Sequence, residues 1–421
     1  MQSILIIGMG SSGKAVYKNA MQNGMLPIIY DDKTNNKTSL ENLIKNIDMV
    51  VVSPAIKPDH KIFILAKKYN KPIMGEIEYA YAKGLNKKEI IAVTGTNGKT
   101  TVCTMLKFIL KNDYLLAGNI GIPATTIVDD AKTKCILELS SFQLMTTTKF
   151  KAHIACILNI KPDHIDYHKT FEEYKMCKLK IANNLQENDF LIINGDDKNI
   201  QQLNSKAKIL KFSIKNKNAD CYFDGKNIII KDERVTQKIN MGIFKGVLLH
   251  NIQNIMAFLL ICKASKINPE IAVKNLVDYK YEPFRMQSKG MIKGKIIYND
   301  SKSTNVASAI SALQSLKNQK SICLILGGRY KHESFREIFK FTNLTQVIVY
   351  GESKNEIFLD AERENFANIC KIENFEKVVK TALNSECNCI LFSPACASFD
   401  MFDSYKQRGE VFDKLVERYN T

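Results

Sequence analysis

Residues 90–110, IIAVTGTNGKTTVCTMLKFIL, constrain the fold more than any other stretch of this chain. Ile90 to Thr94 predict a buried strand, and Thr100 to Leu110 have the apolar spacing of a helix. A loop between a strand and a helix N-terminus presents backbone N–H groups that can bind phosphate. The loop resembles the nucleotide-binding pattern G-x-x-x-x-G-K-[ST], but Val93 takes the place of the first glycine and a glycine stands at position 95.

The loop and two later polar positions predict a nucleotide and metal site. In the loop pattern, Lys99 reaches the terminal phosphates and Thr100 binds a magnesium ion. Glu138 ends a second buried strand in KCILELSSFQL, where a carboxylate can also meet a metal. His164 follows a third strand, IACILNI, and is expected near phosphate and magnesium. Zinc is disfavoured for His164 with His168, because the glutamate of H-E-x-x-H is missing and Pro162 with two aspartates indicates a loop. We expect His168 to be structural.

Length, charge and cysteine usage limit the class of protein. A chain of 421 residues is long enough for about three domains. No run approaches the roughly 20 apolar residues of a membrane helix, and the first residues do not have the pattern of a secretory leader. The net charge of +17 is spread along the chain, and many of the 11 cysteines lie in apolar runs, as is typical of reduced thiols. We therefore expect a cytoplasmic protein without membrane or nucleic-acid partners.

The first 86 residues predict half of a dinucleotide-binding fold. A strand, Ile4–Ile7, runs into the glycine pattern of Gly8–Gly13, and a helix and a second strand, Leu26–Tyr30, follow. A segment this short favours a nucleotide or its diphosphate over a whole NAD. Taken alone, the motif also allows a nicotinamide-dependent oxidoreductase.

The C-terminal third, from near Glu282, predicts a further parallel sheet. The strands KIIYND, SICLILGG, QVIVYG and CILFSP alternate with helical patterns and end in polar clusters. Such strand ends form the ligand edge of an open α/β sheet. The predicted fold class is α/β with three domains: a Rossmann-like substrate domain at 1–86, a central P-loop ATPase-like domain at 87–281, and a Rossmann-like domain for amino acid and nucleotide at 282–421.

A series of motifs, taken together, resembles the ATP-dependent Mur ligases of peptidoglycan synthesis. The motifs are GTNGKTT, GNIGIPA, LELSSFQL, NIKPDHIDYH, HNIQN, NDSKSTN and SPACASFDMFDSYKQRGEVF, in the order of the family and over most of the chain. The resemblance implies that ATP activates a carboxylate as an acyl phosphate, which an amine then attacks. Within the family, ELSSFQL and SPACASFD resemble the members that add D-glutamate to UDP-N-acetylmuramoyl-L-alanine.

The resemblance also implies roles for individual residues in a monomeric enzyme with small-molecule substrates. ATP would be bound by Asn97, Gly98, Lys99, Thr100, Thr101, Asn254, Arg285, Asp300 and Lys302. The UDP substrate would contact Ser11, Ser12, Asp31, Asp32, Asn119 and Gln143, and D-glutamate would contact Thr304, Lys331, Ser398 and Tyr405. Two magnesium ions would be held by Thr100, Glu138, His164 and a carbamylated Lys178, and Lys99, His164 and Lys178 would be the catalytic residues. Composition alone instead indicates that Lys178 belongs to a solvated lysine face.

The chain departs from the family pattern at four positions, and three alternative functions stay open. The departures are Asp32, Ala55, Phe284 and Tyr405. A carboxylate at Asp32 is unfavourable beside a diphosphate unless it turns towards the uracil ring. Sibling Mur ligases and folylpolyglutamate synthetase share the phosphate loop but accept other acids and amines. The oxidoreductase leaves GTNGKTT unexplained, and a nucleic-acid-dependent ATPase rests on the charge alone.

Overall fold

The computed structural model describes residues 1–32, 39–232, 236–243, 249–279 and 283–419. Within these residues the chain forms three β-sheets. The chain divides into two compact units, Met1–Ile160 with Tyr167–Tyr279, and Lys161–Asp166 with Lys280–Thr421. The domain boundary expected between 281 and 282 lies outside the described residues, so the three-domain limits stay a prediction. No helix of the described ranges is both long and apolar enough to span a bilayer.

The first sheet is wholly parallel, with strand order β2-β1-β3-β4. Its elements are β1 (Ser3–Ile7), α1 (Ser11–Gln22), β2 (Leu26–Tyr30), α2 (Leu40–Lys45), β3 (Met49–Val52), α3 (Lys61–Lys68), β4 (Ile73–Gly75) and α4 (Glu76–Ala82). The chain leaves β1 to one side and returns to the other side with β3. Ligands of open α/β sheets bind outside the carboxyl end of such a switch point, which here is the glycine loop after β1.

The second sheet has nine strands in the order β13-β12-β11-β10-β9-β8-β5-β7-β6. Its elements are β5 (Glu89–Thr94), α5 (Lys99–Leu110), β6 (Tyr114–Gly118), β7 (Lys134–Glu138), α6 (Ser141–Met145), β8 (Ile154–Ile157), α7 (Ile165–His168), α8 (Phe171–Leu179), β9 (Phe190–Asn194), β10 (Lys208–Ser213), β11 (Cys221–Phe223), β12 (Asn227–Ile230), β13 (Gln237–Asn240), α9 (Leu249–Ala264) and α10 (Pro269–Leu276). β5 lies between β7 and β8, so the phosphate loop follows an inner strand of the sheet.

The third sheet has the order β14-β15-β19-β16-β17-β18. Its elements are β14 (Gln287–Ile292), β15 (Lys295–Asn299), α11 (Val306–Ser315), β16 (Ile322–Gly327), β17 (Leu344–Tyr350), α12 (Lys354–Arg363), β18 (Ile369–Lys371), α13 (Phe375–Leu383), β19 (Cys389–Ala395) and α14 (Tyr405–Arg418). Every residue of β16 and of β19 is buried. Such continuous apolar runs are expected where helices cover both faces of a parallel sheet.

Three details differ from the sequence-based expectations. The third sheet is not wholly parallel, because β14 pairs antiparallel with β15 at one edge. Its sequence, QSKGMI, has one buried residue, so it lacked the apolar run by which the inner strands were found. The polar segment after β8 contains the short helix α7. The strands β9 to β13 extend the second sheet and were not predicted.

Two glutamates of α4 join the first and second sheets into one compact unit. Glu78 accepts four hydrogen bonds, from the backbone N–H groups of Thr148, Lys149 and Phe150 and from the Thr148 hydroxyl, at 2.8–3.0 Å. Glu76 accepts from the backbone N–H and hydroxyl of Thr125 at 2.6 and 2.7 Å. Burial raises the pKa of Glu76, although both contacts with Thr125 act against this shift. The two carboxylates of α4 therefore accept six hydrogen bonds from Thr125 and residues 148–150, which belong to the second sheet's part of the unit.

We expect Glu78→Ala to lower the free energy of unfolding by about 3 kcal/mol, because it leaves the buried N–H of Phe150 and the partly buried N–H groups of Thr148 and Lys149 without their acceptor. Urea unfolding followed by circular dichroism measures the change. The exposed Glu187 provides the control variant Glu187→Ala. Equal stability of the two variants would show that the Glu78 contacts do not hold the unit together.

Candidate functional site

The phosphate loop takes its shape from a glycine at the start of α5. Gly98 caps the helix with φ +89°, a left-handed conformation that other residues rarely adopt. A Cβ at this position would lie 2.3 Å from Oδ1 of Asn254, which α9 brings against the loop. The first N–H groups of a helix have no intrahelical acceptor, so residues 98–101 can offer donors to an anion.

Asn159, which follows β8, fixes the middle of the loop. Its side-chain carbonyl accepts from the Asn97 backbone N–H at 2.9 Å, and its side-chain amide donates to the Asn97 carbonyl at 3.0 Å. The Asn159 carbonyl accepts from the Thr96 N–H at 2.8 Å. Asn159 was not predicted as a site residue. Its position at the carboxyl end of an inner parallel strand was the available signal.

Two lysines donate to the same carbonyl oxygen of the loop. Lys99 Nζ lies 2.8 Å from the Gly95 carbonyl oxygen and 2.9 Å from that of Thr96. Lys178 Nζ, on α8, lies 2.8 Å from the same Gly95 oxygen. Lys178 is 2% exposed, so it does not belong to the solvated lysine face that composition indicated. Both ammonium groups are therefore concentrated at the loop, where they favour an anionic ligand.

Glu138 places a carboxylate at the end of β7. Its Oε1 accepts from the Asn119 side-chain amide at 2.8 Å, and its Oε2 is buried without a hydrogen-bond partner among the described residues. A buried carboxylate oxygen without a donor is costly unless a cation or a proton satisfies it. Carboxylate and hydroxyl oxygens are the ligand types that magnesium takes, so Glu138 and Thr100 fit this ion chemically.

The first sheet brings its predicted substrate residues to one edge. Ser11 and Ser12 begin α1, and Asp31 Oδ2 accepts from the Met9 N–H in the glycine loop at 2.7 Å. Asp32 forms an ion pair with His60, with Nε2 and Oδ2 3.2 Å apart. The carboxylate that seemed unfavourable beside a diphosphate thus has a partner in the protein.

Gly13 and Gln143 each have a structural role in addition to any contact with substrate. A Cβ on Gly13 would lie 2.0 Å from the Gly8 carbonyl oxygen, so only glycine permits this close helix–strand packing. Gln143 is the third residue of α6 and forms a capping box with Ser140, whose backbone N–H donates to Gln143 Oε1 at 3.0 Å. The amide end of Gln143 is thereby held in one orientation.

In the second unit, Asp163 gathers three polar side chains. Its Oδ1 lies 3.2 Å from Lys331 Nζ, and its Oδ2 lies 2.9 Å from Asn305 Nδ2 and 3.6 Å from His164 Nε2. Burial disfavours the charged carboxylate, but Lys331, His164 and Asn305 outweigh burial and hold the pKa of Asp163 below its usual value. Asn305 is also the N-cap of α11. Asp163 was not predicted, although it precedes His164 directly.

Asp300 is the first residue after β15, and it is buried. Its side chain accepts from the Met286 N–H at 3.0 Å and from the Ser393 hydroxyl at 2.7 Å. Burial raises the pKa of Asp300 to about 7, and these hydrogen bonds together with Arg285 offset burial only in part. Arg285 Nε is itself buried without a partner in the described part of the chain.

The neighbouring residues of this loop are held by a buried arginine. Arg408 is fully buried and donates to the Ser301 hydroxyl at 3.0 Å and to the Ser301 carbonyl at 2.7 Å. The ammonium of Lys302 lies 3.7 Å from the centroid of the Tyr405 ring, a cation–π contact. Ser398 is buried beyond β19, and Thr304 is half-buried. Arg408 was quoted only within a motif, and its supporting position was missed.

Two protein-family models match this chain. The model of the Mur ligase middle domain matches residues 93–262, and that of the Mur ligase glutamate ligase domain matches residues 284–396. A curated UDP-N-acetylmuramoylalanine--D-glutamate ligase from Hydrogenobaculum sp. is 38% identical over 423 residues, covering 99% of this chain and 98% of the relative. This chain belongs to the Mur ligase family.

Further relatives agree with this assignment. A UDP-N-acetylmuramoylalanine--D-glutamate ligase from Aquifex aeolicus is 33% identical and covers 99% of each chain. The crystal structure of MurF ligase from Thermotoga maritima in complex with ADP has a TM-score of 0.62 at 19% identity, covering 99% of this chain and 95% of that one. That likeness concerns the fold, and it confirms the α/β architecture expected of a Mur ligase.

The predicted residues of this Mur ligase form two groups, one in each compact unit. The first unit contains Ser11, Ser12, Asp31, Asp32, Asn97, Gly98, Lys99, Thr100, Thr101, Asn119, Glu138, Gln143, Lys178 and Asn254. The second unit contains His164, Arg285, Asp300, Lys302, Thr304, Lys331, Ser398 and Tyr405. Direct contacts join Glu138 with Asn119 and Lys302 with Tyr405. The roles of these residues as ligands stay predictions.

The raised pKa of Asp300 predicts a pH-dependent stability for this Mur ligase. The group titrates near 7 when folded and near 3.9 in an unfolded chain, so the folded chain binds its proton more tightly in between. Stability contributed by the protonated carboxyl is therefore lost as the pH rises from about 4 to about 7. Asp300→Asn has no ionisable group at this position. We expect the Tm of this variant minus the Tm of the wild type to increase as the pH rises from about 4 to about 7.

Thermal unfolding of both proteins from pH 4 to 8 gives the Tm difference at each pH. The exposed Asp59 offers a control variant, Asp59→Asn, for a change of charge at the surface. A constant Tm difference between Asp300→Asn and wild type would contradict the assigned titration.

Proposed function

We propose that this chain is an ATP-dependent ligase that joins D-glutamate to UDP-N-acetylmuramoyl-L-alanine in peptidoglycan synthesis. The observation that carries the proposal is identity of 38% across 99% of the chain to a relative with that name. The phosphate loop, with the Lys99 ammonium held over it, offers the positive charge and the N–H donors that ATP phosphates require. We further propose that the enzyme acts as a monomer in the cytoplasm on small molecules, without nucleic-acid or membrane partners.

The chemistry explains why ATP is needed. A free carboxylate is a poor electrophile because hydroxide or oxide is a poor leaving group. Transfer of the γ-phosphoryl group to the alanyl carboxylate releases ADP and forms an acyl phosphate. The D-glutamate amine then attacks the carbonyl carbon, loses a proton, and expels inorganic phosphate to leave the new amide. Both steps crowd anions together, so the protein must supply positive charge.

The first unit offers groups for the phosphoryl transfer. Lys99, held over its own loop, supplies positive charge for the transferred phosphoryl group, and the loop N–H groups bind the phosphates. Magnesium would be held by Thr100 and Glu138, which the orphaned Glu138 oxygen supports, and would neutralise phosphate charge. Asn254 lies against Gly98, and this proximity supports the proposal that it contacts the nucleotide.

The second unit offers groups for the amino-acid substrate. The Lys331 side chain is mostly buried, and its ammonium pairs with Asp163. A substrate carboxylate could pair with the same ammonium. Thr304 and Ser398 lie in the loops after β15 and β19, at the ligand edge of the third sheet, and Tyr405 is the first residue of α14, which follows the second of these loops. We propose that these four residues bind D-glutamate, and that His164 contributes to the second magnesium site.

An acceptor assay tests the substrate assignment. Purified protein is given ATP, magnesium and UDP-N-acetylmuramoyl-L-alanine, with D-glutamate, L-glutamate, L-lysine or meso-diaminopimelate, and ADP release is measured. We expect turnover with D-glutamate alone. Lys99→Ala, prepared in parallel, should lose more than about tenfold of kcat, or about 1.4 kcal/mol of barrier lowering, with an unchanged circular dichroism spectrum.

Two outcomes would contradict these expectations. Turnover with L-lysine or meso-diaminopimelate and none with D-glutamate would assign the chain to another Mur ligase activity. Retention of more than a tenth of wild-type kcat by Lys99→Ala would remove that lysine from phosphoryl transfer.

We also propose that Lys178 is carbamylated in the active enzyme. The neutral amine reacts with carbon dioxide to form R–NH–COO⁻ and one proton, which converts a cation into a two-oxygen ligand for magnesium. The carbamate keeps one N–H, so the hydrogen bond from Nζ to the Gly95 carbonyl can persist. Near-complete burial of Lys178 supports a role other than solvation.

We expect Lys178→Ala to lose at least about tenfold of kcat and to need more magnesium, because the second metal site is weakened. Lys175 is the matched control: it lies on the same helix, is half-buried, and pairs with Glu172 at 2.7 Å. Lys175→Ala and Lys180→Ala should stay near wild type in a magnesium titration. Equal, mild effects of all three variants, with no added mass on Lys178 in native mass spectrometry, would defeat the carbamate assignment.

A further inference from the structure

Tyr174 of α8 contacts Thr96 of the phosphate loop. Its hydroxyl lies 2.8 Å from Thr96 Oγ1, and its side chain is buried, with 1% of the residue exposed. Thr96 is the first residue after Gly95 and is 6% exposed. A hydrogen bond between two buried hydroxyl groups is costly to break, because water does not replace the lost partner.

The same helix contacts the loop a second time, one turn later. Lys178 follows Tyr174 by four residues, so the two side chains lie on one face of α8. Lys178 donates to the Gly95 carbonyl, and its ammonium lies 4.9 Å from the centroid of the Tyr174 ring. The hydroxyl of Tyr174 therefore contacts the loop, and the ring of Tyr174 contacts Lys178.

The loop needs such support because of its own composition. Glycine at both ends of Thr96–Asn97 gives the backbone more freedom to lose than other residues would. A loop that becomes ordered only when the nucleotide binds gives up binding free energy, whereas a loop that is already ordered does not. Asn159 fixes the backbone at Asn97, and the Tyr174 hydroxyl fixes the side chain at Thr96.

We infer that the Tyr174 hydroxyl is a positioning group for ATP, which acts by holding the Thr96 side chain and so keeping the phosphate loop in its nucleotide-binding shape. The inference rests on the proposed use of ATP. In this arrangement Tyr174 positions the loop, and the loop binds the phosphates. The contact should therefore affect nucleotide affinity and leave D-glutamate binding unchanged.

Tyr174→Phe removes the hydroxyl and keeps the ring beneath Lys178. We expect the Kd for ADP and the KM for ATP to rise about fivefold, the loss expected for one buried hydrogen bond, with an unchanged KM for D-glutamate. Thr96→Val should have the same effect, and Thr96→Ser, which keeps the hydroxyl, should remain near wild type. The double variant Tyr174→Phe with Thr96→Val should be no weaker than either single variant.

Tyr167→Phe is the matched control. The Tyr167 hydroxyl is also buried and bonded, to the carbonyl oxygens of Pro54 at 2.9 Å and Ile56 at 2.6 Å in the loop after β3. Removing it costs a comparable hydrogen bond at a different loop. ADP affinity measured by calorimetry should stay at the wild-type value in this variant.

Several results would overturn the inference: an ADP Kd for Tyr174→Phe within twofold of wild type, multiplicative losses in the double variant, or Thr96→Ser as weak as Thr96→Val. If Tyr174→Phe fails to fold, the two Thr96 variants decide. ADP binding needs no acceptor substrate, so wild-type protein that binds ADP but does not turn over D-glutamate would refute the proposed ligase activity and still allow this comparison.

Discussion

The carbonyl oxygen of Gly95 accepts hydrogen bonds from two lysine ammonium groups, and the arrangement of the phosphate loop depends on this contact. Because Lys99 and Lys178 each lie 2.8 Å from one oxygen atom, the two cations are within two hydrogen-bond lengths of each other. Like charges at such a separation repel, most strongly where water is excluded. An anion at the loop, whether a phosphate or a carbamate formed on Lys178, would relieve that repulsion. Nucleotide binding and carbamylation of Lys178 are therefore both favoured by relief of the repulsion between the two ammonium groups.

The sequence indicated the strands that matter for the site with little error. Leu26–Tyr30 has its expected limits, and Glu138 ends its strand as expected. The strand that ends at Glu138 is buried from Cys135 onwards, whereas Leu26–Tyr30 has one buried residue. Both are apolar runs followed by polar residues, a pattern that is visible without any structure. The family resemblance, borne out by the full-length relatives, supplied the activity and the remaining candidate residues.

Other features depend on contacts between residues far apart in the chain. Asp163 pairs with Lys331 across 168 positions, and Tyr174 reaches Thr96 across 78. No local pattern encodes such a pair, because each member also fits an ordinary loop or helix. The outer strands β11 to β13 are short, and the edge strands β14 and β13 have one buried residue each. Pairing with a neighbour, rather than their own composition, makes them strands.

The two glutamates of α4 also bear on how far this chain can exchange parts with its relatives. Four of their six donors are backbone N–H groups, which any residue other than proline supplies. The donating segments, near residues 125 and 148–150, can therefore vary in sequence without losing these four bonds. The carboxylates cannot, because both acceptors of the set come from one short helix. A recombined ligase that takes its first sheet from a relative would inherit this junction only if the incoming helix has acidic residues at the same two positions.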